Sequence, residues 1–340
     1  MKAGRLILSA IIAAGCLFTA VGCKGEKSSV GNVETINFVD GDKLAEINIE
    51  GYGTIKAKLF PDLCPEGVNN FIMLAEQGYY DGLKIHRVLE DTVIQGGSLL
   101  GDGTGEKALV NEEGTFDIET DVQARHFYGA LCYANKYGNN ATQFFIVNNN
   151  EPQDLSKYDP EKIRVAAAAY GEVKAASTEG SPEYDQNAYM EAYYTKLAEM
   201  LEDDDTDAAA IYKEKGGLPL FDGGYTVFGQ VYEGFDVIEA ISKAEVQNNA
   251  QGEKSKPVVD IIISSVEIIE YKAPTTAEAT DEDDGKKSDK DKDKDKDNKG
   301  DKDDKDNSSI STLEADEKPA DESSEDLQTR EVNLTGGHFG

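Results

Sequence analysis

The sequence predicts a mostly β domain, compatible with a closed barrel whose openings are covered by helices. Three observations point there. Short runs of strand character recur through the middle of the chain, bounded by glycine and polar turn residues. A helical pattern stands near each end of that stretch. The stretch closes on one long apolar run, VVDIIISSVEIIEY, at residues 258–271.

The elements follow in order. From Leu44, LAEINIEGYGTIKAKLF reads as two strands joined through the turn at Gly51 and Gly53. CPEGVNNFIMLAEQGYY then reads as a helix. Pro65 suits its first turn, Val68, Phe71, Ile72 and Ala75 repeat at helical spacing, and Gly78 ends it. LKIHRVL, TVIQGG, ALCYA and QFFIVN have strand character, and GFDVIEAISKAE is a second amphipathic helix. The run at 258–271 predicts a closing strand buried on both faces. Residues 151–216 break the pattern with Ala, Glu, Lys and Tyr. There Met190, Tyr193, Tyr194, Leu197, Met200 and Leu201 form one helical stripe, expected to pack on its own domain rather than on a partner.

The two ends differ in kind. Lys2 and Arg5 precede an apolar run, Leu6 to Ala20, that is short for a membrane span. It ends in TAVGC, which resembles the lipobox of bacterial lipoproteins, although Ala20 stands where those proteins usually have leucine. The resemblance implies a signal peptide over residues 1–22, lipid on Cys23, and a mature chain tethered to the extracytoplasmic face of a bacterial cell membrane, the alternative being ordinary secretion with cleavage near the same point. Residues 23–43 are polar and read as a flexible spacer, and the domain is expected over 44–272. Residues 273–340 alternate Asp and Lys without aromatic residues over SDKDKDKDKDNKGDKDDKDN. They cannot bury enough apolar surface to offset ordering, so disorder is expected.

Composition excludes some partners. Sixty-six Asp and Glu against 34 Lys and Arg give a net charge of −32, which argues against nucleic acid. The interleaved lysines of the tail and its lack of an EF-hand loop argue against a calcium site. None of the three histidines is paired at metal-binding spacing, and no metal or cofactor is expected. GDGTG at 101–105 lacks the lysine and helix of a phosphate loop. Of the four cysteines, Cys64 and Cys132 fall in the domain, either bridged or, as preferred, as two buried thiols.

The chemistry-bearing residues lie in three blocks: GYYDGLKIHRVLEDTVIQGG, GALCYANKYGNNATQFFIVN and LFDGGYTVFGQVYEGFDVIEAI. All three resemble the cyclophilins, the peptidyl-prolyl cis–trans isomerases. The resemblance implies an eight-stranded antiparallel barrel capped by two helices, with the helical segment at about 151–216 as an insertion. It implies Arg87 as the catalytic arginine and Gln95 beside it. Ala134 and Asn135 would bind peptide through their backbone, and Gln143 and Phe145 would line the groove, with Phe145 the floor of the proline pocket. Phe221 matches a pocket leucine. Four positions depart from the family: Thr92 and Val93 stand for Phe-Met, Leu220 for a groove tryptophan, and Tyr225 for a histidine. Ile85 also replaces a phenylalanine before His86.

These residue types suit the reaction. Amide rotation meets a barrier of about 18–20 kcal/mol from partial double-bond character. As an X-Pro amide twists, the proline nitrogen gains a lone pair that a guanidinium can bind in the twisted state alone. No bond breaks, so neither nucleophile nor metal is required. His86 alternates with Arg87 along a strand and is expected to face the core, and His126 is expected to be structural. The reading is a monomeric prolyl isomerase assisting the folding of exported, proline-containing polypeptides. The alternative is a non-catalytic proline-peptide binding module or chaperone using the same groove. A third reading gives the essential work to the tail, for example spanning a cell wall.

Overall fold

The structure, a computed structural model, describes residues 36–104, 107–203 and 207–273. The expected signal peptide (residues 1–22), the expected lipidation site Cys23 and the tail beyond residue 273 lie outside the described residues.

The first hairpin pairs β1 (Lys43–Ile49) with β2 (Gly53–Leu59). Alternation buries Ala45, Ile47 and Ile49 on β1 and Ile55, Ala57 and Leu59 on β2. Helix α1 (Pro65–Glu76) follows, with Pro65 in its first turn as expected. Glu119 accepts the N–H groups of Glu66 at 3.1 Å and Gly67 at 2.8 Å, satisfying donors that a helix start leaves open. Val68, Phe71 and Leu74 of α1 are buried.

Next come β3 (Lys84–Ile85), β4 (Arg87–Leu89), β5 (Val93–Gly96), β6 (Phe116–Asp117), β7 (Ala130–Lys136) and β8 (Asn139–Val147). Three helices then fill the stretch that breaks the strand pattern: α2 (Pro160–Ala176), α3 (Pro182–Glu202) and α4 (Ala208–Lys215). The chain ends with β9 (Val227–Glu233), α5 (Phe235–Ser242), the hairpin β10 (Val246–Asn248) and β11 (Lys254–Pro257), and β12 (Ile261–Glu270).

The main sheet runs β3-β12-β1-β2-β9-β7-β8-β5-β4, with β6 paired to β8. Its two end strands are separated in sequence by His86 alone. Counting β3 and β4 as one strand broken at His86 turns the nine-strand path into an eight-stranded antiparallel barrel, as expected. Helix α1 packs against β8 and β12, and α5 against β2, β4 and β5.

Strand β12 departs from expectation. Ile261, Ile263 and Val266 are buried, but Ile269 is 39% exposed. The barrel gives β12 one inner and one outer face, so its apolar run is not buried twice. The α3 stripe does pack on its own fold. Met190, Tyr193 and Leu197 cluster with Ile163 and Tyr170 of α2 and with Leu220. Asp159 and Ser181 cap α2 and α3, each followed by a proline in the first turn. Cys64 and Cys132 are both buried free thiols, and burial pushes both well above the usual thiol range.

Candidate active site

Strand register assembles the site. Arg87 pairs with Gln95, Gln95 with Phe145, and Phe145 with Cys132, forming one row across β4, β5, β8 and β7. The alternate row, Val88, Ile94, Ile146 and Leu131, continues through Gly229 to Leu59 and so belongs to the barrel interior. Arg87 therefore stands on the outer face.

A polar chain runs along that row. Arg87 Nη1 donates to Gln95 Oε1 at 3.2 Å, Gln95 Nε2 to Gln143 Oε1 at 2.9 Å, and Gln143 Nε2 to the Gly103 carbonyl at 3.2 Å. Each amide both accepts and donates, so Gln95 and Gln143 are fixed in orientation. Both are buried. The pair of glycines after Gln95 lets this happen. Gly97 has φ +85°, and a Cβ there would lie 2.5 Å from the Thr142 carbonyl, so only glycine brings β5 this close to the residue before Gln143.

Beside the row lies an aromatic cluster. Phe145, Phe221 and Tyr225 have ring centroids 5.1 to 6.1 Å apart, and His126 stacks on Phe145 at 6.3 Å. Burial holds the Tyr225 hydroxyl well above the usual phenol range, with Arg87 close enough that its charge opposes the shift. Behind the cluster, Asp222 accepts from His126 Nδ1 at 2.9 Å, the His126 N–H at 3.0 Å, Tyr212 Oη at 2.9 Å and Arg125 Nη1 at 3.3 Å. His126 is thus a buried tie between the barrel and the 220–225 loop, as expected.

Asn135 follows a bulge in β7, donates to the Gly224 carbonyl at 2.9 Å, and accepts from the Gly138 N–H at 3.0 Å. Ala134 is buried next to it. Thr92 lines a separate cavity of about 390 Å³ with Leu89, Ser242 and Val246. Val93 shares the strand face of Gln95, pairs with Leu89 and Val147 in the neighbouring row, and is fully buried. Leu220 packs on the α3 cluster rather than among the pocket rings. His86 is largely buried and hydrogen-bonded as expected, but it does not face the barrel interior. It lies at the strand break, hydrogen-bonded to Gln143, because alternation does not hold across β3 and β4.

Two sets of residues were not found from sequence. Glu253, between β10 and β11, takes Arg87 Nε at 2.7 Å and Nη2 at 2.8 Å. Arg87's hydrogen bonds hold the Glu253 carboxyl below the usual carboxylate range. From α3, Tyr189 donates to the Gly224 carbonyl at 2.9 Å and Tyr193 to the Leu220 carbonyl. Tyr189 also hydrogen-bonds Asn135 and Tyr225, and burial pushes its hydroxyl up to about 12. The Gly-Glu-Lys turn around Glu253 reads only as polar loop. Tyr189 lay one residue before the stripe already singled out on α3.

The family model described as cyclophilin type peptidyl-prolyl cis-trans isomerase/CLD matches residues 44–180 and 196–268. A curated relative from Staphylococcus saprophyticus is 34% identical over 233 residues, covering 68% of this chain and 95% of its own. One from Staphylococcus haemolyticus is 33% identical over 217 residues, covering 64% and 86%. Both carry the name "Putative peptidyl-prolyl cis-trans isomerase". A crystal structure of a Cryptosporidium parvum cyclophilin type peptidyl-prolyl cis-trans isomerase aligns at 20% identity and TM-score 0.44, covering 68% of this chain and 99% of that one. By the family model and its relatives, the chain belongs to the cyclophilin type peptidyl-prolyl cis-trans isomerases, an enzyme family.

Proposed function

We propose that the protein isomerises X-Pro bonds in exported polypeptides, with Arg87 stabilising the twisted amide, while lipid on Cys23 holds it at the outer face of the cell membrane. The observation that carries the catalytic part is the row of Arg87, Gln95 and Phe145. It sets a guanidinium beside an aromatic cluster able to hold a proline ring. Arginine stays protonated and offers a planar fork, so its donor is in place before the amide twists. Donation to the proline nitrogen strengthens only as that nitrogen loses conjugation, which lowers the barrier rather than tightening ground-state binding.

Arg87→Ala should lower kcat/KM in a protease-coupled proline-peptide assay by about 10²-fold or more, the loss typical of a preorganised donor. Arg87→Lys, a point charge without the fork, should fall between. An Arg87→Ala protein with an undiminished rate would sink the mechanism. The anchor rests on the sequence at Cys23 and is tested by fractionation. Cys23→Ser should move the protein from membranes to the soluble fraction, and a Cys23→Ser protein that stays with the membranes would overturn the anchor.

A non-catalytic binder is the second reading, favoured by Thr92 and Leu220, two expected groove positions that stand away from the Phe145 cluster and leave its wall altered. Peptide binding without accelerated exchange would select that reading.

A further inference from the structure

Glu253 lies outside the three sequence blocks that define the site, yet the loop around it is built to hold it. The Asn249 N–H donates to the Glu253 carbonyl at 2.8 Å, and Asn249 Oδ1 accepts the N–H groups of Gln251 at 3.0 Å and Glu253 at 2.9 Å. Asn249 Nδ2 reaches Ser255 Oγ at 3.3 Å, and the Ser255 N–H returns to the Glu253 carbonyl at 3.0 Å. Ser255 is fully buried, so the ring of bonds is anchored. A solvated glutamate needs none of this.

The carboxylate so held meets Arg87 edge to edge. Its two oxygens take Nε and Nη2, while Gln95 takes Nη1 from the other side. Two acceptors on one edge fix the plane of a guanidinium, and a third on the remaining nitrogen fixes its rotation in that plane. The acceptors come from separate elements, the β10–β11 hairpin and β5. The Arg87 side chain is 11% exposed and that of Glu253 28%, so the pair is sheltered more than an ordinary surface ion pair.

We propose that Glu253 is the positioning residue for Arg87, clamping its Nε–Nη2 edge so that Nη1 points along the row toward Gln95 and Phe145. This rests on the reading of Arg87 as the donor to the twisted amide. A catalytic donor that must be found in one orientation gains from a clamp, because misplacement costs rate without weakening substrate binding. The opposing effect is charge. A carboxylate on the guanidinium also offsets the field that the amide meets, and removing it would then speed the reaction.

The test uses the full-length protein with Glu253→Ala, Glu253→Gln and Glu253→Asp, each alone and in the Arg87→Ala background. Glu253→Ala should lower kcat about tenfold with KM changed less than twofold. Glu253→Gln, which keeps one acceptor, should lose less. None should lower the rate further once Arg87 is gone, since a positioning residue acts only through its partner. Should Glu253→Ala fold poorly, the Arg87 Nε–H resonance in ¹⁵N NMR of Glu253→Gln gives a second readout. It should broaden or shift if the clamp orders the guanidinium. An unchanged or raised kcat, or equal losses with and without Arg87, overturns the proposal. Full activity in Arg87→Ala alone overturns the catalytic reading instead, so the two failures are distinguishable.

Discussion

His86 shows how one residue couples the barrel's closure to the site. It stands where β3 gives way to β4, and its N–H donates to the Gln95 carbonyl at 3.0 Å. Burial first, and the charge of Arg87 second, lower its pKa to about 4. In the unfolded chain the same group titrates near 6.5. Between those values the unfolded state binds more protons. Stability is therefore complete above pH 6.5, falls as pH drops through the window, and levels off below 4. The loss from this residue is about 3 kcal/mol. Denaturant midpoints of wild type and His86→Gln at pH 7.5 and pH 4 measure it, and the variant should lose less on acidification. Equal losses in both proteins would show that His86 is not the group responsible.

At the scale of elements, α3 acts on the site through the 220–225 loop. Tyr189 and Tyr193 hold that loop by two of its carbonyls, and the same loop carries Phe221 and Tyr225 of the aromatic cluster. The approach is close: a Cβ on Gly224 would lie 2.8 Å from the Tyr193 ring. Tyr189→Phe removes one hydroxyl and should cost about 1 kcal/mol, the usual net worth of a hydrogen bond. Because the loosened loop shapes the proline pocket proposed above, KM should rise severalfold while kcat changes less. Gly224→Ala should do the same more strongly. Unaltered KM in both variants would make α3 a cover with no part in binding. Much of the element order was legible beforehand, since β1 and β2 alternate cleanly and α1 announces itself with Pro65 and an apolar stripe. The Arg87, Gln95 and Phe145 row was legible only through the resemblance of their blocks to the cyclophilins, since nothing in the local pattern pairs β5 with β8. The Glu253 clamp was not, because its partner lies 166 residues away and no local pattern distinguishes it from a polar turn. Leu220 misled for a related reason: its position in the block says nothing of the helix that draws it aside.

Across the whole molecule, helices α2, α3 and α4 are bound to the barrel unequally, and this sets an order of opening. Helix α4 is tied deepest. Tyr212 packs on Phe127 with ring centroids 4.6 Å apart and donates to Asp222, which Arg125 and His126 also reach. Helix α3 is next, with Met190, Tyr193, Leu197, Ala198 and Met200 buried and the Met200 carbonyl accepting from Arg125 Nη2 at 3.0 Å. Helix α2 buries only Ala167 and leaves Val165 70% exposed. Its attachment is to α3, through side-chain packing and the ion pairs Lys174–Glu191 and Arg164–Glu202, which as exposed pairs add little. Local opening follows the least buried contacts. Native-state hydrogen exchange should therefore show α2 amides exchanging first, α3 later, and α4 together with β7 and β8 near the global limit. That order would let the outer layer breathe while the tyrosines of α3 keep their hold on the loop. Equal protection across α2 and α4 would mean instead that the three helices open as one unit with the loop, so that any opening of α2 would also release Leu220 and Gly224.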